Sequence, residues 1–158
     1  MTRSSAREIA VHLAFALGFS NRTADELLAV SLTRENFEQL KEEDPLYNEF
    51  PNEKQRRYIT ELVKGVDAHG PELDGYIAKY AVGWSFSRIS RTAAAVMRVA
   101  MYEILYMPEI PAGAAINEAV EGAKRYETPE TAAFINGILG SLVRGGLPPR
   151  PAKAPAPA

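Results

Sequence analysis

The residues in this chain best suited to chemistry are cations and aromatic rings. Arg3 and Arg7 stand four apart at the start of a helical pattern, so both guanidinium forks face one way and could grip phosphate or stack on an unpaired base. Two solvated arginines at a helix start are the plainer reading of the same pair. Arg91, Arg98 and Tyr102 fall at i, i+7 and i+11, nearly one line along a helix. Such a line suits RNA or an acidic protein, and it equally suits amphipathic side chains that cover their own helix. Phe134 and Asn136, with Lys124 and Arg125 on the preceding helix, form the last group. Because Ile138 follows Phe134 by four residues, periodicity by itself favours a core position for that ring.

What an enzyme would need is missing. There are no cysteines, which removes disulfides, thiol nucleophiles and thiolate metal sites together. His12 and His69 are far apart, and neither has a second ligand at helical metal-site spacing, so each reads as a structural or surface residue. No glycine-rich phosphate loop occurs, and Gly137 and Gly140 lie inside a helical period, where they are expected to let helices approach closely. Glu118 and Glu121 form a carboxylate pair, but Glu118 is read as lying near a helix N-terminus, where the helix dipole accounts for it. We expect no catalytic residue, no metal and no cofactor.

Charge is distributed unevenly. The net charge of −2 hides a stretch from Ala24 to Glu53 with nine acidic and two basic residues, which leaves 11 acidic and 16 basic residues elsewhere. A basic face is therefore compatible with the acidic total, as is ordinary variation among solvated helix faces. At 158 residues the chain is most simply one domain. No apolar run approaches the roughly 20 residues that cross a bilayer, and the first residues lead directly into an amphipathic pattern without a signal segment. A cytoplasmic location is expected.

Helical periodicity dominates the chain. Ala6, Ile9, Ala10, Leu13 and Leu17 mark a first helix that stops at Gly18, and Thr23 with Glu26 three residues later makes a capping box for a second, running through Leu27 and Leu28. A third begins at Thr33. Lys41 to Asn52 contains Asp44-Pro45 and Phe50-Pro51 without a clean period and reads as a loop or poorly ordered connection, after which Asn52 can cap a helix through Val66. Another runs from Leu73 to Tyr80. Arg88 to Met107 is the longest, rich in alanine and suited to central packing. Ile116, Ala119, Val120 and Ala123 give the next an apolar stripe, and Thr128-Pro129 starts the last, which ends near Arg144. About seven helices and no convincing strand make an all-α, single-domain helical bundle over residues 1–144. Residues 145–158, rich in proline and alanine, are expected to be a flexible tail.

Several motifs occur in an order and spacing that resemble the NusB family of bacterial transcription antitermination factors. They are Trp84, Arg88-Ile89, Arg98-x-Ala100-x-Tyr102-Glu103, Ile110-Pro111, Ile116-Asn117-Glu118-Ala119-Val120 and Phe134-Ile135-Asn136-Gly137. The resemblance runs from Ala6 to about Leu142 and is more specific from Trp84 onward. The chain departs from the family in two places. It has Arg3 and Arg7-Glu8 where a denser arginine run is usual, and Ala93 and Ala94 where charged residues are usual, so family contacts at those alanines do not carry over.

The resemblance implies two three-helix sub-bundles about a long helix and a factor without enzymatic activity. It further implies binding of single-stranded boxA RNA in ribosomal RNA leaders together with NusE, a small-subunit ribosomal protein, and assembly with RNA polymerase, NusA and NusG. On that basis Arg3, Arg7, Arg91, Lys124, Phe134 and Asn136 are the expected RNA-binding residues, with Phe134 stacking and Asn136 hydrogen bonding. Arg98, Tyr102, Glu103 and Glu121 are expected to bind the partner. Asn117 is expected to cap the Ile116 helix and to matter for folding alone. The alternatives are an RNA-binding accessory or protein-interaction module, as the same fold forms in RNA methyltransferases, and a homodimer that covers its RNA surface.

Overall fold

The computed structural model describes residues 1–83 and 89–145, and among these it is all α-helical, with no strand. Trp84 and Arg88, and all but the first residue of the expected tail, lie outside the described residues. The described residues form eight α-helices, α1 (Arg3–Leu17), α2 (Ala24–Ser31), α3 (Arg34–Leu40), α4 (Glu53–Ala68), α5 (Gly70–Tyr80), α6 (Arg91–Tyr106), α7 (Ala112–Tyr126) and α8 (Pro129–Arg144). They fall into two compact units, Met1–His69 and Gly70–Ala158. No helix among the described residues is long and apolar enough to cross a membrane.

In the first unit α1, α2 and α4 pack on one another. Thr2 caps α1 by accepting from the Ser5 N–H at 3.0 Å, which starts the helix three residues before its first buried alanine. The Thr23–Glu26 box forms as its spacing requires, with the Glu26 carboxylate accepting from the Thr23 N–H at 3.0 Å and Thr23 Oγ1 accepting from the Glu26 N–H at 3.1 Å. Asn52 and Gln55 make a second box at the start of α4, with both bonds at 2.9 Å. Leu62, Val63 and Ile59 from α4 and Ile9 and Ala10 from α1 are almost fully buried.

The stretch 41–52 is ordered more than its sequence implies. Asp44 caps a 3-10 turn over Pro45–Tyr47 by accepting from the Leu46 N–H at 2.9 Å. The buried Phe37 ring then meets Tyr47 and Phe50 edge-on, at 5.0 and 5.1 Å between centroids, while Arg34 and Arg56 lie over Phe50 at 4.7 and 5.2 Å. These contacts join residues distant in sequence, so no local period announces them. Burial, then the Asp44 and Glu8 charges, push the Tyr47 hydroxyl up to about 12.

In the second unit α6 packs against α5, α7 and α8, and is buried almost all round. Ser90 caps it by accepting from the Ala93 N–H at 3.0 Å. The buried line of α7 is Ala115, Ala119 and Ala123, at i, i+4 and i+8, while Ile116 and Val120 are half-buried beside it. Three small residues on that line let α6 and α8 come close. Gly137 and Gly140 do not serve this purpose. A Cβ on Gly137 would meet nothing within 4 Å, and the three atoms nearest to one on Gly140 are all at the end of its own helix's Arg144 side chain. Gly83, at φ +82°, holds the one left-handed backbone among the described residues.

Candidate nucleic-acid interface

The N-terminal arginines part company in the fold. Arg3 is exposed, and its guanidinium carbon lies 5.1 Å from the centre of the Tyr58 ring on α4, a contact that orients the cation without enclosing it. Arg7 is only 5% exposed. Four residues carry it a little more than one turn past Arg3, and it joins Val11 and Ala14 among the buried residues of α1, beside the Ala6–Ile9–Leu13 stripe. The expectation that Arg7 meets RNA is corrected: its side chain is buried.

Most of the remaining candidates lie in the second unit. α7 and α8 form an antiparallel pair joined at Glu127 and Thr128, and the Ser90 hydroxyl donates to the Glu127 carboxylate at 2.6 Å. That bond ties the start of α6 to the α7–α8 turn, so Arg91, Lys124 and Arg125 come to one end of this unit, all exposed. Phe134 and Asn136 lie farther along α8, the ring half-buried and the amide exposed. Phe134 is thus neither the fully buried core ring nor the fully exposed one that the two readings of its sequence would require. Tyr126, at the end of α7 and 46% exposed, adds a ring beside the cations. The run Lys124-Arg125-Tyr126 was its signal in the sequence, and the periodicity of the helix obscured it.

Lys124 and Glu121, assigned to different ligands, pair with each other at 3.0 Å. Both side chains are more than half exposed, so the pair is worth little and opens readily to a phosphate or an acidic group. Farther along α6, Arg98 Nε donates to Asp74 on α5 at 2.6 Å, and Tyr102 stacks on Tyr106 at 5.2 Å. The Tyr106 hydroxyl bonds both Glu72 oxygens at 2.7 and 2.9 Å; burial, then this hydrogen bond, push it up to about 12. Arg98 and Tyr102 thus sit on a fastened α5–α6 seam, well away from Arg91 on the same helix.

Glu103 does not belong with them. It is 2% exposed, because α6 has neighbours on three sides and this residue turns inward. Its expected role in partner binding is corrected accordingly. Asn117 and Glu118 are corrected as well. α7 begins at Ala112 behind Pro111, which places both in its second turn; Asn117 is exposed there and caps nothing, and no acidic residue occupies the first turn. Alanine and glycine at 112–115 lack the polar signature that normally marks a helix start, which is why the apolar stripe at Ile116 drew attention instead. Ala93 and Ala94 are buried, at 1% and 4% exposure, so neither reaches a ligand. No group of three residues able to hold a metal ion occurs among the described residues.

This arrangement of helices is shared with known proteins, and residues 4–144 match the sequence pattern of the NusB family. The chain belongs to the NusB family. It is 40% identical over 144 residues to the transcription antitermination protein NusB of Acetivibrio thermocellus, covering 91% of this chain and 90% of that protein. To the same protein of Carboxydothermus hydrogenoformans it is 39% identical over 140 residues, with 89% and 91% covered. Among solved structures, T. maritima NusB superposes with a TM-score of 0.68 at 25% identity, covering 94% of each chain. A chain in a structure described as a plectonemic RNA supercoil superposes at 0.71 with 22% identity, over 90% of this chain and 94% of that one. The role of this NusB-family chain is transcription antitermination, not catalysis.

Proposed function

We propose that this chain acts in antitermination by binding single-stranded boxA RNA together with NusE, and that the pair joins RNA polymerase with NusA and NusG in the cytoplasm. The observation that carries the reading is the end of the second unit, where exposed Arg91, Lys124 and Arg125 stand with Tyr126, and with Phe134 and Asn136 farther along α8. Cations there hold phosphates while exposed rings stack on splayed bases, the two contacts by which single strands are bound. Arg3, steadied on Tyr58, adds a further phosphate contact. The fold's occurrence in a structure described as an RNA supercoil supports RNA as the partner class.

NusE would dock along the α5–α6 seam, where Arg98, Tyr102 and Tyr106 present a fixed mix of charge and ring surface, with Glu121 available from α7. With so few phosphate contacts, the chain by itself should hold RNA weakly, and NusE should raise the affinity. Titrating a labelled boxA oligonucleotide and a scrambled one, with and without NusE, tests this. Preferential binding of boxA in the presence of NusE is expected; equal affinity for both oligonucleotides would refute it. Sedimentation of the free chain tests self-association, and a homodimer that dissociates when RNA is added would mean that the RNA surface also serves as a dimer face.

A further inference from the structure

Three helix ends of the second unit meet at a single hydrogen bond. Ser90, exposed at the start of α6, uses both capacities of its hydroxyl: the oxygen accepts from the Ala93 N–H at 3.0 Å, and the proton is donated to the Glu127 carboxylate at 2.6 Å. Glu127 is half-buried and closes α7, its N–H donating to the Ala123 carbonyl at 2.8 Å. The next residue, Thr128, opens α8 by accepting from the Thr131 N–H at 3.1 Å. A hydroxyl held this close to a carboxylate makes a charge-assisted bond, stronger than a neutral one.

The side chains proposed for RNA at this end all stand within three residues of that bond. Arg91 follows Ser90 directly, and Lys124, Arg125 and Tyr126 are the three residues before Glu127. Where Ser90 meets Glu127 therefore sets the spacing between the cation of α6 and the cations and ring of α7. The same carboxylate brings a negative charge among three positive ones, and its two effects on RNA have opposite signs. As a charge it opposes phosphate, so its removal would tighten binding. As an acceptor it holds the cations in one arrangement, so its removal leaves that arrangement to be ordered at the cost of affinity. Salt screens the first effect and leaves a hydrogen bond of 2.6 Å in place, so geometry prevails at physiological salt.

We propose that Ser90 and Glu127 are positioning residues for RNA, their hydrogen bond holding Arg91 in register with Lys124, Arg125 and Tyr126, so that an acidic residue inside the cationic end favours RNA. The proposal rests on the reading of this end as the RNA surface, and neither residue has to touch the RNA itself.

Two substitutions separate the effects. Glu127→Ala removes acceptor and charge together, while Glu127→Gln removes the charge and keeps an acceptor for the Ser90 hydroxyl. With boxA RNA and NusE at physiological salt, Glu127→Ala should bind roughly tenfold more weakly than the parent, the scale of one hydrogen bond to a charged group. Glu127→Gln should bind at least as tightly as the parent. For Glu127→Ala the plot of log affinity against log salt should flatten by about 0.7 for a cation that no longer meets its phosphate, which the loss of a repelling charge would not produce. Ser90→Ala also removes the α6 cap, so it is measured in both backgrounds: it should weaken RNA binding in the parent and leave it unchanged in Glu127→Ala, the cap being lost equally in each. The proposal is overturned if Glu127→Ala binds boxA as tightly as the parent or more tightly, if Glu127→Gln loses as much as Glu127→Ala, or if Ser90→Ala weakens binding equally in both backgrounds. A parent that does not prefer boxA over the scrambled oligonucleotide overturns the functional reading and this inference with it, whereas a parent with that preference confines any failure to the Ser90–Glu127 pair.

Discussion

At the scale of single residues, the site turns on side chains that are partly engaged already. Phe134 is half-buried on α8, so removing its ring should cost both kinds of interaction. Phe134→Ala is expected to lose about 1 to 3 kcal/mol of RNA binding, the usual worth of a base stacked on a ring. Its stability loss should stay below the roughly 3 to 5 kcal/mol of a fully buried phenylalanine. Anisotropy and thermal melting on the same variant separate the two, and unchanged RNA affinity would leave the ring with a packing role alone. Lys124 makes the complementary case. Its exposed pair with Glu121 contributes about 0 to 1 kcal/mol, so Lys124→Ala should melt like the parent. Binding of RNA with NusE should weaken, more so at low salt, where an exposed charge acts over a longer distance. Parent-like binding at low salt would reduce this end of α7 to a solvated face.

At the scale of elements, the start of each helix decides what a polar residue does. Asn117 lies exposed in the second turn of α7, where asparagine is a poorer helix former than alanine. Asn117→Ala should therefore leave stability unchanged or raise it by a few tenths of a kcal/mol, and a loss of about 1 kcal/mol in a melting experiment would show that the amide has a structural partner after all. The α2 capping box behaves differently. The Glu26 carboxyl is held below its ordinary range, first by its hydrogen bond to the Thr23 N–H and then by the Thr23 hydroxyl. A depressed carboxyl stabilises the fold fully above its unfolded value, and that contribution is lost as pH falls through the folded one. Glu26→Gln keeps an acceptor at the same place but does not titrate, so its melting temperature should fall less than the parent's on acidification. Identical acid limbs would mean that the box contributes nothing through charge.

For the whole molecule, the uneven charge matters more than the total. The proposed RNA surface carries four exposed cations, Arg3, Arg91, Lys124 and Arg125, and single strands release roughly 0.7 counterions per neutralised phosphate. The plot of log affinity against log salt for the free chain should then have a slope no steeper than about −3. A markedly steeper slope would show that further cations, outside this set, hold the RNA. The nine acidic residues between Ala24 and Glu53 all belong to the first unit, whereas Arg91, Lys124 and Arg125 belong to the second.

Much of this protein was legible in its residues because helices are written locally. Period 3.6 stripes marked the helices, the Thr23–Glu26 box and Thr128-Pro129 marked two starts, and both formed where their spacing placed them. The ordered run of motifs from Arg98 to Gly137 was enough to recognise the family, since spacing within helices preserves the faces they present. What the tertiary structure alone decided is which faces meet a second neighbour. Arg7 and Glu103 are polar residues beside apolar stripes, and both are buried in the fold. Phe37, Tyr47 and Phe50 ordered an aperiodic stretch through contacts between residues distant in the chain. Burial is a property of the assembled neighbours, and a single helix's period counts only one of them.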